Sequence, residues 1–195
     1  MESKGWHRRG YLPHLDVSGR AQGLTFRLAD SLPATVIENW RRELFMGDDH
    51  EDPKKSAELS RRIAKYEDRG RGDCLLRQDD HAEIVEDTLK RFDGERYELL
   101  EWCVMPNHVH VLTRIFSGSS MEQVVRSWKN YTAREINKLI GRSGRLWAPD
   151  YFDRLIRDEE HLGRARRYIR FNPVKAGLCS KPEDWRWSSA FSGTK

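Results

Sequence analysis

The stretch Leu24 to Leu28, Leu-Thr-Phe-Arg-Leu, alternates apolar and polar residues and predicts a strand, since strand side chains repeat every second position. Asp30-Ser31-Leu32-Pro33 then supplies a turn and a helix start. Beyond it the period changes: Val36, Ile37, Trp40, Leu44 and Phe45 recur at the three- and four-residue spacing of an amphipathic helix. Residues 47–73 are acidic, then mixed in charge, and end in glycines; they read as an insertion holding one polar helix around Ala57 to Tyr66. Ile84, Val85, Leu89 and Phe92 mark a further amphipathic helix that ends near Gly94. Tyr97 to Met105 and Val109 to Ile115 are strand-like and separated by Pro106-Asn107, the pattern of an antiparallel pair joined by a tight turn. Ser120 to Leu139 is the longest helical pattern, closed by Gly141 and Gly144. Asp158 caps a last helix, with Glu159 and Glu160 where the dipole favours acids. That helix is expected to stop near Asn172, because Pro173 disfavours α geometry in the residue before it. This order predicts an α+β sandwich with an antiparallel sheet.

Chemistry enters at Met105 to Leu112, Met-Pro-Asn-His-Val-His-Val-Leu. On a strand His108 and His110 share one face while Val109 and Val111 share the other. Two neutral imidazoles held on a rigid strand form a metal clamp; the competing reading is a half-exposed strand with two unrelated histidines. Composition narrows the setting. Charged residues make up 34% and the formal net charge is +4. No run of about 18 apolar residues is present, so no membrane partner is expected, and the first ten residues lack the apolar core of a signal peptide. Cys74, Cys103 and Cys179 form no Cys-x-x-Cys pair, which fits a reduced, cytoplasmic protein and not a structural zinc site.

The charge is uneven. Residues 126–175 hold 13 Lys or Arg against 6 Asp or Glu, interleaved with Trp128, Tyr131, Trp147, Tyr151, Phe152, Tyr168 and Phe171. Cations that track phosphates, mixed with rings that stack on bases, suit single-stranded nucleic acid; a solvated helix face backed by core aromatics gives the same composition. A histidine pair is an incomplete metal site. Tyr168 and Asn172, four residues apart, share one helix face, where Asn172 can offer an amide oxygen to the metal with the phenol beside it. Arg164, Arg166, Arg167 and Arg170 crowd that helix and suit a phosphodiester. Two alternatives stand. Tyr168 fits a core aromatic and Asn172 a C-terminal cap, and Tyr131 with Glu135 has the same spacing and a harder ligand. Spacing does not separate them.

The chain resembles the REP-associated tyrosine transposases, relatives of the single-tyrosine insertion-sequence transposases of the His-hydrophobic-His (HUH) nuclease superfamily. The resemblance rests on Arg9-Gly10-Tyr11-Leu12-Pro13-His14, Thr25 to Leu28, Met105 to Leu112, Tyr151-Phe152-Asp153-Arg154, Tyr168 to Leu178 and Trp185-Arg186-Trp187-Ser188-Ser189. It implies a ferredoxin-like or RRM-like antiparallel sheet with helices packed on it, in a single domain over 1–195 with the insertion at 47–73 and a tail at 179–195. It implies that His108 and His110 bind a divalent metal, Mg²⁺ or Mn²⁺, with Asn172 as third ligand and Tyr168 as nucleophile; Tyr131 would instead sit on the preceding helix near DNA. The activity implied is cleavage and rejoining of single-stranded DNA beside palindromic hairpins, through a 5′-phosphotyrosine link. Lys129, Arg134, Arg142, Arg145, Arg164, Arg167 and Arg170 are the expected DNA contacts. A prokaryotic, nucleoid-associated protein is expected, monomeric or homodimeric, with no nucleotide cofactor. A domesticated hairpin binder with little cleavage activity is the alternative. A two-histidine phosphodiesterase is disfavoured, because His50, His81 and His161 supply no second His-x-Ser/Thr motif.

Overall fold

The computed structural model describes residues 5–8, 13–16, 18–45 and 52–193; the Arg9 to Leu12 part of the N-terminal motif and residues 47–51 of the insertion lie outside them. Strands β1 (Gly5–Arg8) and β2 (Pro13–Asp16) form an antiparallel hairpin. The main sheet is built from β3 (Ala21–Arg27), β4 (Tyr97–Val104), β5 (His108–Ile115) and β6 (Phe152–Leu155), in the order β4-β5-β3-β6 with every neighbour antiparallel. Five helices accompany it: α1 (Ala34–Phe45), α2 (Pro53–Glu67), α3 (Asp79–Lys90), α4 (Met121–Leu139) and α5 (Glu159–Lys175). The path β3-α3-β4-β5-α4-β6, with that strand order, is the ferredoxin-like arrangement expected from the sequence. None of the described helices is long and apolar enough to cross a membrane.

β5 sits inside the sheet and is covered on both faces. Val109, Val111 and Ile115 join Leu24, Phe26, Val85, Leu89, Val124 and Trp128 in one core under α3 and α4. Leu112 faces the other way, into a core with Cys103, Leu162 and Ile169 under α5. Alternation along one strand thus separates a structural face from the face that carries the histidines. The first core is fixed by a buried polar chain: Trp128 Nε1 donates to Tyr97 Oη at 3.0 Å, and Tyr97 Oη donates to the Leu89 carbonyl at 2.7 Å. The Tyr97 and Trp128 rings meet edge to face, 5.1 Å between centroids.

Three features depart from the sequence reading. β6 and the β1–β2 hairpin were not predicted; Phe152 to Leu155 carries too few apolar residues to register as a strand, and its pairing with β3 is what makes it one. Helix α5 does not stop at Asn172 but runs through Pro173 to Lys175. Proline removes one helical donor, yet the turn continues because Ala176 N–H reaches the Asn172 carbonyl and Leu178 N–H reaches that of Pro173. Gly177, at φ +71°, ends it. Asn172 is therefore a helix-interior residue, not a cap.

The third departure is the insertion. Its polar helix is the longer α2, capped by Asp52, and it pairs with α1 over a separate small core of Leu32, Ile37, Leu59 and Ile63. Arg62 spans the two helices with a bidentate contact to Glu43, 2.7 and 3.0 Å. The tail covers the outer edge of the sheet: Val104 N–H donates to the Trp187 carbonyl, Ser189 N–H donates to that of Trp102, and Trp187 enters the main core. Tyr97→Phe leaves the Trp128 indole and the Leu89 carbonyl without their shared partner. It is expected to lower the unfolding free energy by about 1–3 kcal/mol, seen as a lower urea midpoint at unchanged slope.

Candidate active site

The hairpin turn between β4 and β5 closes through Met105 N–H to the His108 carbonyl, 2.8 Å, and delivers His108 and His110 to the α5 side of the sheet. Register sets their neighbours on β3: Arg27 stands opposite His108 and Thr25 opposite His110. Both imidazoles are buried, and their Nε2 atoms are 3.0 Å apart. The ring planes are close to perpendicular, at 81°. Burial, and for His108 the neighbouring imidazole, holds its pKa well below the usual value. Burial and then Lys175 lower that of His110 to about 3. Both rings are thus neutral at physiological pH, the form that binds metals.

Their tautomers follow from their partners. Asn107 Nδ2 donates to the carbonyls of Glu67 (3.3 Å) and Arg71 (2.9 Å), so its Oδ1 faces His108 and accepts from Nδ1–H at 2.7 Å. His108 Nε2 is then a bare lone pair. Thr25 Oγ1 lies 2.8 Å from His110 Nδ1. When the hydroxyl donates there, His110 Nε2–H bridges to His108; when it accepts, both Nε2 lone pairs face the same point. A separation of 3.0 Å matches two adjacent ligands of one octahedral ion with bonds of about 2.1 Å.

Two further groups carry unpaired polar atoms among the described residues. Asn172 is buried, and neither its amide nitrogen nor its amide oxygen meets a partner there in full hydrogen-bond geometry, although the amide comes near enough to the Tyr168 phenol to lower its pKa. Asp68, one residue past α2, has a buried Oδ1 without a partner, while its Oδ2 accepts from Lys175 Nζ at 3.2 Å. One ligand atom each from Asp68, His108 and His110 lies within 4.8 Å of the others. Buried polar atoms rarely go unpaired without a reason, and oxygen donors beside two imidazoles suit a divalent cation. The site fits a metal. The adjoining Glu67 is buried against Arg27 at 3.5 Å, and burial raises its carboxyl to about 8 against the pull of that guanidinium.

Tyr168 packs its ring on His110, 5.3 Å between centroids and 74° between planes, with one edge exposed. Lys175 Nζ lies 5.7 Å from the same ring. Burial raises the phenol's pKa above its ordinary value, and the carboxylates of Asp68 and Glu67 raise it further; the Asn172 amide and Arg154 oppose them. The rival pair sits elsewhere: Tyr131 is exposed on α4, the helix of the opposite face, under Arg134, whose Nε donates to Glu135.

The other predicted cations divide. Lys129 Nζ donates to the carbonyls of Ala148 and Pro149, and burial lowers its pKa to about 8 despite Asp150. Arg170 is bidentate to the buried Glu101 of β4, at 2.6 and 3.1 Å. These two already have duties in the fold. Arg142 donates to the Arg145 carbonyl, and Arg145 lines an open groove beside α4. Arg164 pairs with Glu160, and Arg167 is exposed on α5. The sequence reading missed Asp68, Asn107, Thr25 and Arg27. Asp68 is buried in a mixed-charge run with no periodicity, and Asn107 reads as an ordinary turn residue. Only Thr25 and Arg27 had a signal, since pairing β3 with β5 in register points both at the histidines.

Residues 73–172, just over half of the chain, match the family model described as Transposase IS200 like. Over 96 residues the chain is 27% identical to the REP-associated tyrosine transposase of Escherichia coli, covering 48% of this chain and 54% of that protein. A Haemophilus influenzae protein to which the same name is given provisionally is 26% identical over 103 residues, 48% of this chain and 58% of its own length. The matched stretch thus spans little more than half of either relative. A solved structure of a REP-associated tyrosine transposase bound to a REP hairpin superposes with a TM-score of 0.55 at 19% identity, over 94% of this chain and 81% of that one, and has the same fold. Family model, relatives and fold agree: the chain belongs to the IS200-like transposases and is similar to their REP-associated tyrosine members.

Proposed function

We infer that this protein cleaves and rejoins single-stranded DNA beside hairpins, with Tyr168 forming a covalent 5′-phosphotyrosine intermediate. The observation that carries the reading is the edge-to-face contact of Tyr168 with His110, beside a neutral, converging histidine pair. The names of the relatives, and the hairpin bound by the structural neighbour, support the substrate class. His108, His110 and Asp68 would hold the divalent ion, with Asn172 as a further donor on the helix of the nucleophile. Mg²⁺ or Mn²⁺, when bound, supplies Lewis-acid polarisation of a phosphate oxygen.

The residues divide the remaining work. Tyr168 attacks the phosphorus and displaces a 3′-oxygen, so the bond energy is kept in the phosphotyrosine and strand rejoining needs no nucleotide cofactor. A phenol with an ordinary pKa near 10 is a poor nucleophile at neutral pH, and here burial beside Asp68 and Glu67 raises it further. Cationic charge near the phenol is what lowers that barrier, and Lys175 stands over the ring while pairing with Asp68. Asn107 and Thr25 hold the imidazoles in orientation and tautomer. Arg164 and Arg167, on the exposed face of α5, would contact the DNA backbone, as would Arg134, Arg142 and Arg145 on and after α4.

The reading is tested by denaturing gels of labelled hairpin DNA with unpaired flanks, incubated with Mn²⁺ or with chelator. Wild type is expected to give a covalent band that chelator and Tyr168→Phe abolish and Tyr131→Phe does not. Tight hairpin binding without any band would favour the domesticated binder. Asp68→Asn and Asn107→Ala are each expected to weaken Mn²⁺ binding about 10- to 100-fold, measured by titration of the free ion's paramagnetic signal. Equal affinity for Asp68→Asn would remove that residue from the ligand set. The folded imidazoles resist protonation, so Mn²⁺ affinity should stay level as pH falls from 8 through 6.5, where an exposed histidine pair would already lose it. The sign for folding is the reverse of a salt-bridged histidine. Because the folded pKa values are depressed, stability is full above about pH 6.5 and declines as the unfolded chain takes up protons below it.

A further inference from the structure

The space between α2 and α5 adjoins the site, but the function proposed above gives it no occupant. It is a cavity of about 500 Å³, inside the range of sites that hold small ligands. His110 and Tyr168 form its inner wall. Its floor is apolar, with Ile63 from α2, Ile169 from α5 and Ile156 from the segment after β6. Arg61, Arg154 and Arg164 also line it. We propose that this cavity takes the base of the unpaired nucleotide adjoining the phosphate attacked by Tyr168, and so reads DNA sequence at the cut; this rests on the function inferred above.

Four features select that occupant. Because the inner wall is the nucleophile and a histidine, whatever fills the cavity must be joined to the reacting phosphate or compete with it. The apolar floor suits the faces of a base and is a poor surface for a free anion or a second phosphate. A base in a duplex cannot enter a pocket of this size, whereas enzymes that hold single bases take them out of the stack. The cations are arranged for a backbone at the mouth. Arg154 lies 5.8 Å from the Phe152 ring, a stacking platform, while Arg61 and Arg164, both exposed, pair with Glu58 and Glu160 on their own helices. Such pairs are weak and exchange readily for phosphate. Ser60, Glu67 and His161 also line the cavity and provide polar atoms for the edge of a base. One whole wall belongs to α2, which gives the inserted segment a role in specificity.

The test uses hairpin DNA carrying 2-aminopurine at one unpaired position at a time, bound to the full-length Tyr168→Phe protein, with covalent-band formation by the wild type followed in parallel. A fluorescence change of at least about twofold is expected at one nucleotide beside the cut and at none farther away. Ala64→Trp fills the cavity from the α2 side and should abolish that change, and in the Tyr168-containing protein it should reduce cleavage at least about tenfold. Its thermal unfolding and Mn²⁺ affinity should match those of wild type. Ala64→Leu, a smaller intrusion, should weaken the change without removing it. A fluorescence change absent at every flanking position, or undiminished in both Ala64 variants, overturns the proposal. A position-specific change that Ala64→Trp removes upholds the pocket even if no covalent band forms, and in that case it is the cleavage reading that fails.

Discussion

The site depends on the side-chain amide of Asn107. It lies in the tight turn between β4 and β5, is almost wholly buried, and makes contacts in two directions. Its oxygen accepts a hydrogen bond from His108 Nδ1–H, which leaves the Nε2 lone pair of that ring facing His110. Its nitrogen holds the carbonyls of Glu67 and Arg71, which fixes the end of α2 above the sheet. Without the second set of bonds the carboxylate of Asp68 has no fixed position relative to the histidines. Each bond alone is worth only about 1 kcal/mol, but together they couple a strand, a turn and an inserted helix into one frame.

Around that frame local rules are broken in the same place. Carboxylates at a helix C-terminus oppose the macrodipole, yet Glu67 ends α2 and Asp68 follows it. Glu67 is buried with a long contact to Arg27, and among the described residues both amide atoms of the buried Asn172 lack a well-formed hydrogen bond. Such departures cluster where a protein keeps a function at the expense of stability. The charges are arranged in sequence: Arg27 beside Glu67, Lys175 beside Asp68, and the Tyr168 ring next to Lys175. The phenol therefore stands near the Asp68 carboxylate, paired with Lys175, and the Glu67 carboxyl, which burial keeps largely protonated near neutral pH, and its reactivity depends on how a further cation and a phosphate shift that balance.

Legibility in the sequence followed the range of the interactions. The shared face of His108 and His110 was readable because strand alternation is a two-residue rule; helical spacing offered Tyr168 with Asn172 and Tyr131 with Glu135 alike, and only the family resemblance favoured the first pair. The ferredoxin-like arrangement came from the family resemblance, whereas the α+β core with its antiparallel sheet was readable from Leu24, Val85, Val109 and Val124, each set by local period. Asp68 was not, since nothing near it in the chain marks it; the α1–α2 core of Leu32, Ile37, Leu59 and Ile63 brings it to the histidines across some forty residues. Lys129 and Arg170 were expected to contact DNA, and their ties within the fold went unseen, because pairing a charged stem with a carbonyl or a distant carboxylate leaves no local pattern. Pro173 misled in the opposite way: the local rule was real, but a single lost donor was outweighed by the packing of α5 on the sheet.

On the proposed function, the architecture would separate the groups that hold a metal from those that choose the substrate. The histidines stand on β5, held on both faces, and this part of the site cannot shift without disturbing two cores. The groups that face them do not belong to the βαββαβ core. Tyr168, Asn172 and Lys175 come from α5, which follows β6, and Asp68 comes with α2, inserted ahead of α3. Changes in the length or lining of α2 would reshape the wall beside Tyr168 while β5 and its hydrogen bonds stay as they are. On the proposed function, the chemistry would then be set by the sheet and the choice of DNA by the helices added around it.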